Sequence, residues 1–104
     1  MAIVQRRVFY GKVGAADELV AWATKMYGLI QAHNSSISYR VMSDHQSGRT
    51  DRVAAEIEVA SLAELDSMLS SIMEDGDARA DFEQHFGKLA NLIEYAEVEQ
   101  WTIH

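Results

Sequence analysis

The chain has 104 residues, 48% of them hydrophobic, with neither cysteine nor proline, which suits one small domain over residues 1–104 and excludes disulfides and thiolate metal ligands. Sixteen acidic residues against nine basic ones leave a formal charge of -7, which disfavours a nucleic-acid surface. No apolar run reaches the ~18 residues of a membrane span, and no basic, apolar leader opens the sequence, so no membrane contact and a cytoplasmic setting are expected.

Residues 2–10 alternate as a strand with two partly apolar faces, Val4, Val8 and Tyr10 on one and Ile3, Gln5, Arg7 and Phe9 on the other. Gly11 to Gly14 mark a turn, too short and degenerate for dinucleotide binding. From Ala15 the apolar residues Leu19, Trp22 or Ala23, Met26 and Ile30 recur at helical spacing, with Asp17 and Glu18 in the favourable first turn and His33 near the stop. Gly28 within that helix points to close packing or a bend.

A second strand places Ile37, Tyr39 and Val41 opposite Ser38, Arg40 and Met42, and a polar loop over residues 44–51 leads into a third. In the third strand Val53, Ala55, Ile57 and Val59 alternate with Arg52, Ala54, Glu56 and Glu58. At Ser61 the period changes. Ser61 and Glu64 form an S-x-x-E capping box ahead of the helical stripe Leu62, Leu65, Leu69, Ile72 and Met73. Gly76 interrupts the stripe, and Asp77 is positioned to cap a further helix carrying Ala78, Phe82, Phe86, Leu89 and Ile93. The segment EYAEVEQWTIH supplies a last strand, with Tyr95, Trp101 and Ile103 on one face and Ala96 and Val98 on the other.

The order strand, helix, strand, strand, split helix, strand predicts an α+β protein. Its expected topology is a ferredoxin-like β-α-β-β-α-β arrangement with a four-stranded antiparallel sheet and a split second helix. Both crossovers then lie on one face of the sheet. The other face, also partly apolar, needs cover, and a homodimer provides it.

With its elements in this order the chain resembles the dimeric α/β-barrel superfamily of the antibiotic-biosynthesis monooxygenase type, and more narrowly its small NIPSNAP-like branch. RRVFYGKVGAADELV is similar to that branch's first strand, glycine turn and helix, and ASLAELDSMLSSIMEDGDARADFEQHFGKL to its strand-to-split-helix segment. The glycine turn here lacks the proline of the family pattern, and Ala78, Arg79 and Ala80 replace its Pro-Glu-Trp flavour. The resemblance implies a dimeric barrel with a small-molecule pocket between each sheet and its helices. It also implies one of several activities: cofactor-free oxygenation of aromatic polyketides, haem degradation, lactone isomerisation, dehydration, or no established chemistry.

The residues with matching chemistry are Arg7, Tyr10, Tyr39, Arg40 and His45, with Trp22 and Trp101 as pocket walls. Arginine orients a carboxylate or enolate, tyrosine donates to a developing oxyanion, and histidine exchanges a proton near neutral pH. The plainer reading packs the aromatic residues in the core or dimer interface and pairs the arginines with Glu56, Glu58, Glu97 or Glu99. His33 reads as a helix-end residue, His85 as an exposed helical position and His104 as a terminal one. No metal-ligand spacing and no haem attachment motif accompanies the histidines, so neither metal nor cofactor is expected. These features predict a protein that binds a small apolar or aromatic ligand, as a cofactor-independent monooxygenase or isomerase. The alternative is a non-enzymatic ligand-binding or protein-interaction module.

Overall fold

Strand β1 (Ile3–Gly11) lies inside a four-stranded sheet and pairs antiparallel with β3 (Arg52–Val59) on one side and β4 (Ile93–Thr102) on the other. β2 (Ser38–Ser43) adds to the far side of β3, giving the order β2-β3-β1-β4. The computed structural model describes residues 2–34, 36–44 and 50–104. The fold is α+β and ferredoxin-like, and its second helix is split, as the sequence pattern predicts. Among the described residues no helix is long and apolar enough to cross a membrane.

Register carries the alternation of each strand across the sheet. Phe9 faces Val53 on one neighbour and Ala96 on the other, and Arg7 lies between Ala55 and Val98. One face therefore presents Phe9, Val53, Ala55, Ile57 and Val59, all buried. Three helices cover that face. In α1 (Ala16–His33) the buried positions are Leu19, Trp22, Ala23, Met26, Tyr27 and Ile30, a stripe that recurs every three to four residues. In α2 (Leu62–Glu74) they are Leu65, Met68 and Ile72, while α3 (Gly76–Phe86) buries none. Full burial of Ile72 or Leu19 contributes ~1.5–3 kcal/mol each, so this stripe pattern is the main source of fold stability.

The helix ends are fixed locally. Ser61 Oγ accepts from the Glu64 N–H at 3.2 Å, as in a capping box, while the Glu64 carboxylate reaches one residue beyond the cap and accepts from the Ala60 N–H at 3.0 Å. The cap of α3 differs from expectation. Asp75 rather than Asp77 accepts from the Asp77 and Ala78 N–H groups, at 3.1 and 3.2 Å, because Asp75 is the extended residue that breaks α2 from α3. The third helix also stops earlier than its apolar spacing predicts. Leu89 falls in a single 3-10 turn, Leu89–Asn91, and Ile93 already belongs to β4.

Helix α1 has no side-chain cap of its own at Ala15. The Asp51 carboxylate accepts from the Ala16 N–H at 3.2 Å, and the Asp51 carbonyl accepts from the Gly11 N–H at 2.9 Å. Asp51 holds this double contact at φ 61°, a left-handed conformation that aspartate tolerates better than most side chains. A Cβ on Gly11 would sit 2.5 Å from that carbonyl oxygen, whereas one on Gly28 would meet only the Tyr39 hydroxyl, at an ordinary 3.6 Å. The two glycines thus predict opposite outcomes in urea denaturation. Gly11→Ala lowers stability by ~1–3 kcal/mol through backbone overlap, and Gly28→Ala raises it by ~0.5–1 kcal/mol by removing helical glycine.

Candidate functional site

Helix α1 packs over β2 and β3, and α3 takes α1 and α2 as its main neighbours. Strands β1 and β4 are thereby left partly unroofed, and a cavity of about 290 Å³ lies above them. Gln5, Arg7 and Phe9 of β1, Ile57 of β3 and Ala96 of β4 form its floor. Its walls are Trp22, Met26 and Tyr27 of α1, Leu65 and Met68 of α2, and Phe82 and Phe86 of α3. Phe86 is 52% exposed and stands at the mouth.

The aromatic wall is a connected set. Trp22 meets Phe9 edge-on, with ring centroids 5.5 Å apart, and Phe86 lies 6.4 Å from Trp22 and stacks on Phe82 at 5.9 Å. Its hold on α3 comes from a reciprocal pair of hydrogen bonds. The Trp22 indole N–H donates to the His85 carbonyl at 2.7 Å, and His85 Nε2 lies 3.0 Å from the Trp22 carbonyl, with the two rings stacked. The expectation that His85 is an exposed helical residue is therefore corrected. It is half-buried, because the Trp22 ring draws it onto α1.

Three lining side chains are polar at their ends: Gln5, Arg7 and Tyr27. Burial pushes the Tyr27 phenol above its usual range, while the neighbouring Arg7 guanidinium, through charge and a hydrogen bond, opposes the shift. Tyr27 is therefore a hydrogen-bond donor at neutral pH rather than a base. Among the described residues the lining contains neither a carboxylate nor a histidine side chain. Among the described residues no group of three His, Asp or Glu side chains converges to hold a metal.

The sheet separates the residues that the sequence groups together. Arg7 and Trp22 line the cavity, and Tyr39, also on the helix face, stacks behind Tyr27 at 6.1 Å. Tyr10 and Arg40 belong to the opposite face. Tyr10 stacks on Tyr95 at 4.3 Å, and a hydrogen bond to Glu97 is the first cause of its raised pKa. Arg40 pairs with Glu56 at 2.7 Å, as the plainer reading expects for the arginines. Trp101, 60% exposed, is on that face too, remote from the cavity. His45 lies outside the described residues.

Gln5 is one polar cavity residue that the sequence reading does not single out, and Tyr27 is the other. Tyr27 lies four residues after Ala23 and three before Ile30, so its position in the buried stripe is the signal that could have found it.

No protein-family model matches the sequence, and comparison with curated proteins finds no match. The fold is shared with solved structures. A NIPSNAP family protein from Agrobacterium tumefaciens superposes with a TM-score of 0.76 at 17% identity, covering 99% of this chain and 86% of that one. A NIPSNAP domain protein from Burkholderia xenovorans gives 0.77 at 12% identity, covering 98% and 94%. SnoaB, a cofactor-independent oxygenase from Streptomyces nogalater, gives 0.72 at 12% identity, covering 98% and 92%.

The sign of the Tyr27 shift sets an alkaline prediction. A raised folded-state pKa contributes stability that is complete below the ordinary phenol value of 10.0 and is lost as pH rises through the folded value. Urea denaturation at stepped pH above that point is expected to show stability falling by up to ~1.4 kcal/mol per pH unit for this proton. Tyr27→Phe makes the fall shallower.

Proposed function

We propose that this protein binds a small apolar or aromatic ligand in the cavity between its sheet and helices. The observation that carries the reading is the cavity's composition: apolar and aromatic walls with Gln5, Arg7 and Tyr27 as the polar groups among the described residues. That is the usual make-up of a small-molecule site. Arg7 would orient an oxygenated group of the ligand and Tyr27 would donate to it, an arrangement that favours an enolate or other oxyanion. Its chemistry suits cofactor-independent oxygenation or isomerisation of an aromatic substrate, and the fold shared with SnoaB supports that assignment.

A second reading, ligand binding without turnover, is favoured by one observation. Among the described residues the lining offers no carboxylate or imidazole to take a proton, and Tyr27 retains its own. Catalysis by these described groups would therefore rely on a substrate that is already acidic.

The working unit in this proposal is a homodimer joined through the sheet face opposite the helices. Tyr95, Trp101 and Ile103 are exposed there by 47%, 60% and 43%, beside Val4, Val8 and Met42. On the same face Arg40 pairs with Glu56 and Arg52 with Asp44, alongside the carboxylates of Glu58, Glu97 and Glu99. Pairing lowers the cost of excluding water from that surface, and a second copy with the same strip of apolar residues fits it isologously.

Two measurements test these readings. Titration calorimetry with neutral 2-naphthol is expected to show binding that Ala96→Trp abolishes by filling the floor. Multiple-turnover oxygen uptake or isomerisation that is lost in both Arg7→Gln and Tyr27→Phe supports the enzyme, and binding without turnover supports the second reading. Sedimentation is expected to give a dimer that Trp101→Glu dissociates, and a monomer at all concentrations overturns the proposed assembly.

A further inference from the structure

Arginines elsewhere in the structure follow a consistent rule. Arg6 and Arg40 pair with Glu56, Arg52 with Asp44, and Arg79 with Glu83. Arg7 is the exception: among the described residues no carboxylate lies within ion-pair distance of it. It is also the arginine that lines the apolar cavity, half-buried and beside a phenol that keeps its proton. A cation withdrawn from water into an apolar site carries a desolvation cost that proteins normally offset with a partner charge.

We propose that the missing partner is the carboxylate of the ligand, and that the site selects monoanionic aromatic or apolar acids over neutral compounds of the same shape. The inference rests on the cavity reading above and goes beyond it by assigning charge to the ligand.

Geometry supports a division of labour. The guanidinium presents several N–H donors in a plane that matches a carboxylate. The Tyr27 hydroxyl is next to it on the α1 wall, so one carboxylate can accept from both. Gln5, two residues along the same face of β1, is positioned to donate or accept beside them. Beyond these three groups the cavity is lined by Phe9, Trp22, Phe82 and Phe86, which suit a flat hydrocarbon body. The chain's formal charge of -7 opposes an acid at long range, so selection is assigned to close contact with Arg7, inside the ~8 Å over which physiological salt leaves charges unscreened.

The test compares 2-naphthoate with 2-naphthamide, which share shape and differ in charge, by titration calorimetry on the full chain near neutral pH. Wild type is expected to bind the naphthoate at least ~10-fold more tightly, a modest yield for a charge-assisted pair. Arg7→Gln should erase that ratio, and Arg7→Lys should keep part of it. Equal affinities in wild type overturn the charge assignment and leave the cavity reading intact, a comparison that depends on no variant folding. A ratio that persists in Arg7→Gln also overturns it. If folded wild-type protein binds neither compound, the cavity reading fails and this inference fails with it.

Discussion

Three helices have to cover four strands, and they do so unevenly. Because α1 centres on β2 and β3, and α3 leans on the other helices rather than on the sheet, the floor formed by β1 and β4 is left without close cover. Tight packing elsewhere, with Leu19, Val53 and Ile72 almost wholly excluded from solvent, prevents the gap from closing by simple collapse. Cavity, mouth and exposed last strand all follow from that single mismatch of width.

The two-residue period of the strands then decides which side chains can meet. Arg6 and Arg7 are adjacent in sequence, yet one pairs with Glu56 on the uncovered face and the other lines the cavity. Tyr10 and Arg7 are separated by the thickness of the sheet for the same reason. Charge follows topology here: on the uncovered face Glu56 and Asp44 sit beside arginines, while on the covered face Arg7 lies among mostly apolar side chains.

The architecture was legible because each element carries its own period and punctuation. The change from Val59 to Ser61, read as strand ending and capped helix beginning, matches hydrogen bonds made by Ser61 and Glu64. Less was legible at the site. The faces of Arg7, Tyr10, Tyr39 and Arg40 follow from alternation alone, but the choice of face for function needs the helices in place. Tyr27 was hidden in plain periodicity, since a stripe residue is ordinarily core, and only the gap over β1 turns its hydroxyl toward an unoccupied volume. The α3 cap moved from Asp77 to Asp75 because the break between helices lies one residue before Gly76, a boundary that side-chain spacing alone does not fix. His85 was misjudged because its partner, Trp22, is 63 residues away in sequence.

Trp22 has two roles that bear on each other. Its ring is a wall of the cavity, and its indole N–H and carbonyl are the points at which the end of α3 is tied to α1. Turning the indole would part its N–H hydrogen bond to the His85 carbonyl and unstack the two rings, loosening the helix that carries Phe82 and Phe86, while the bond of His85 to the Trp22 backbone carbonyl would not depend on the ring. Wall and roof are thus coupled, so in the proposed ligand site a thin guest would fit beneath an intact roof, and a bulkier one would first have to unfasten it.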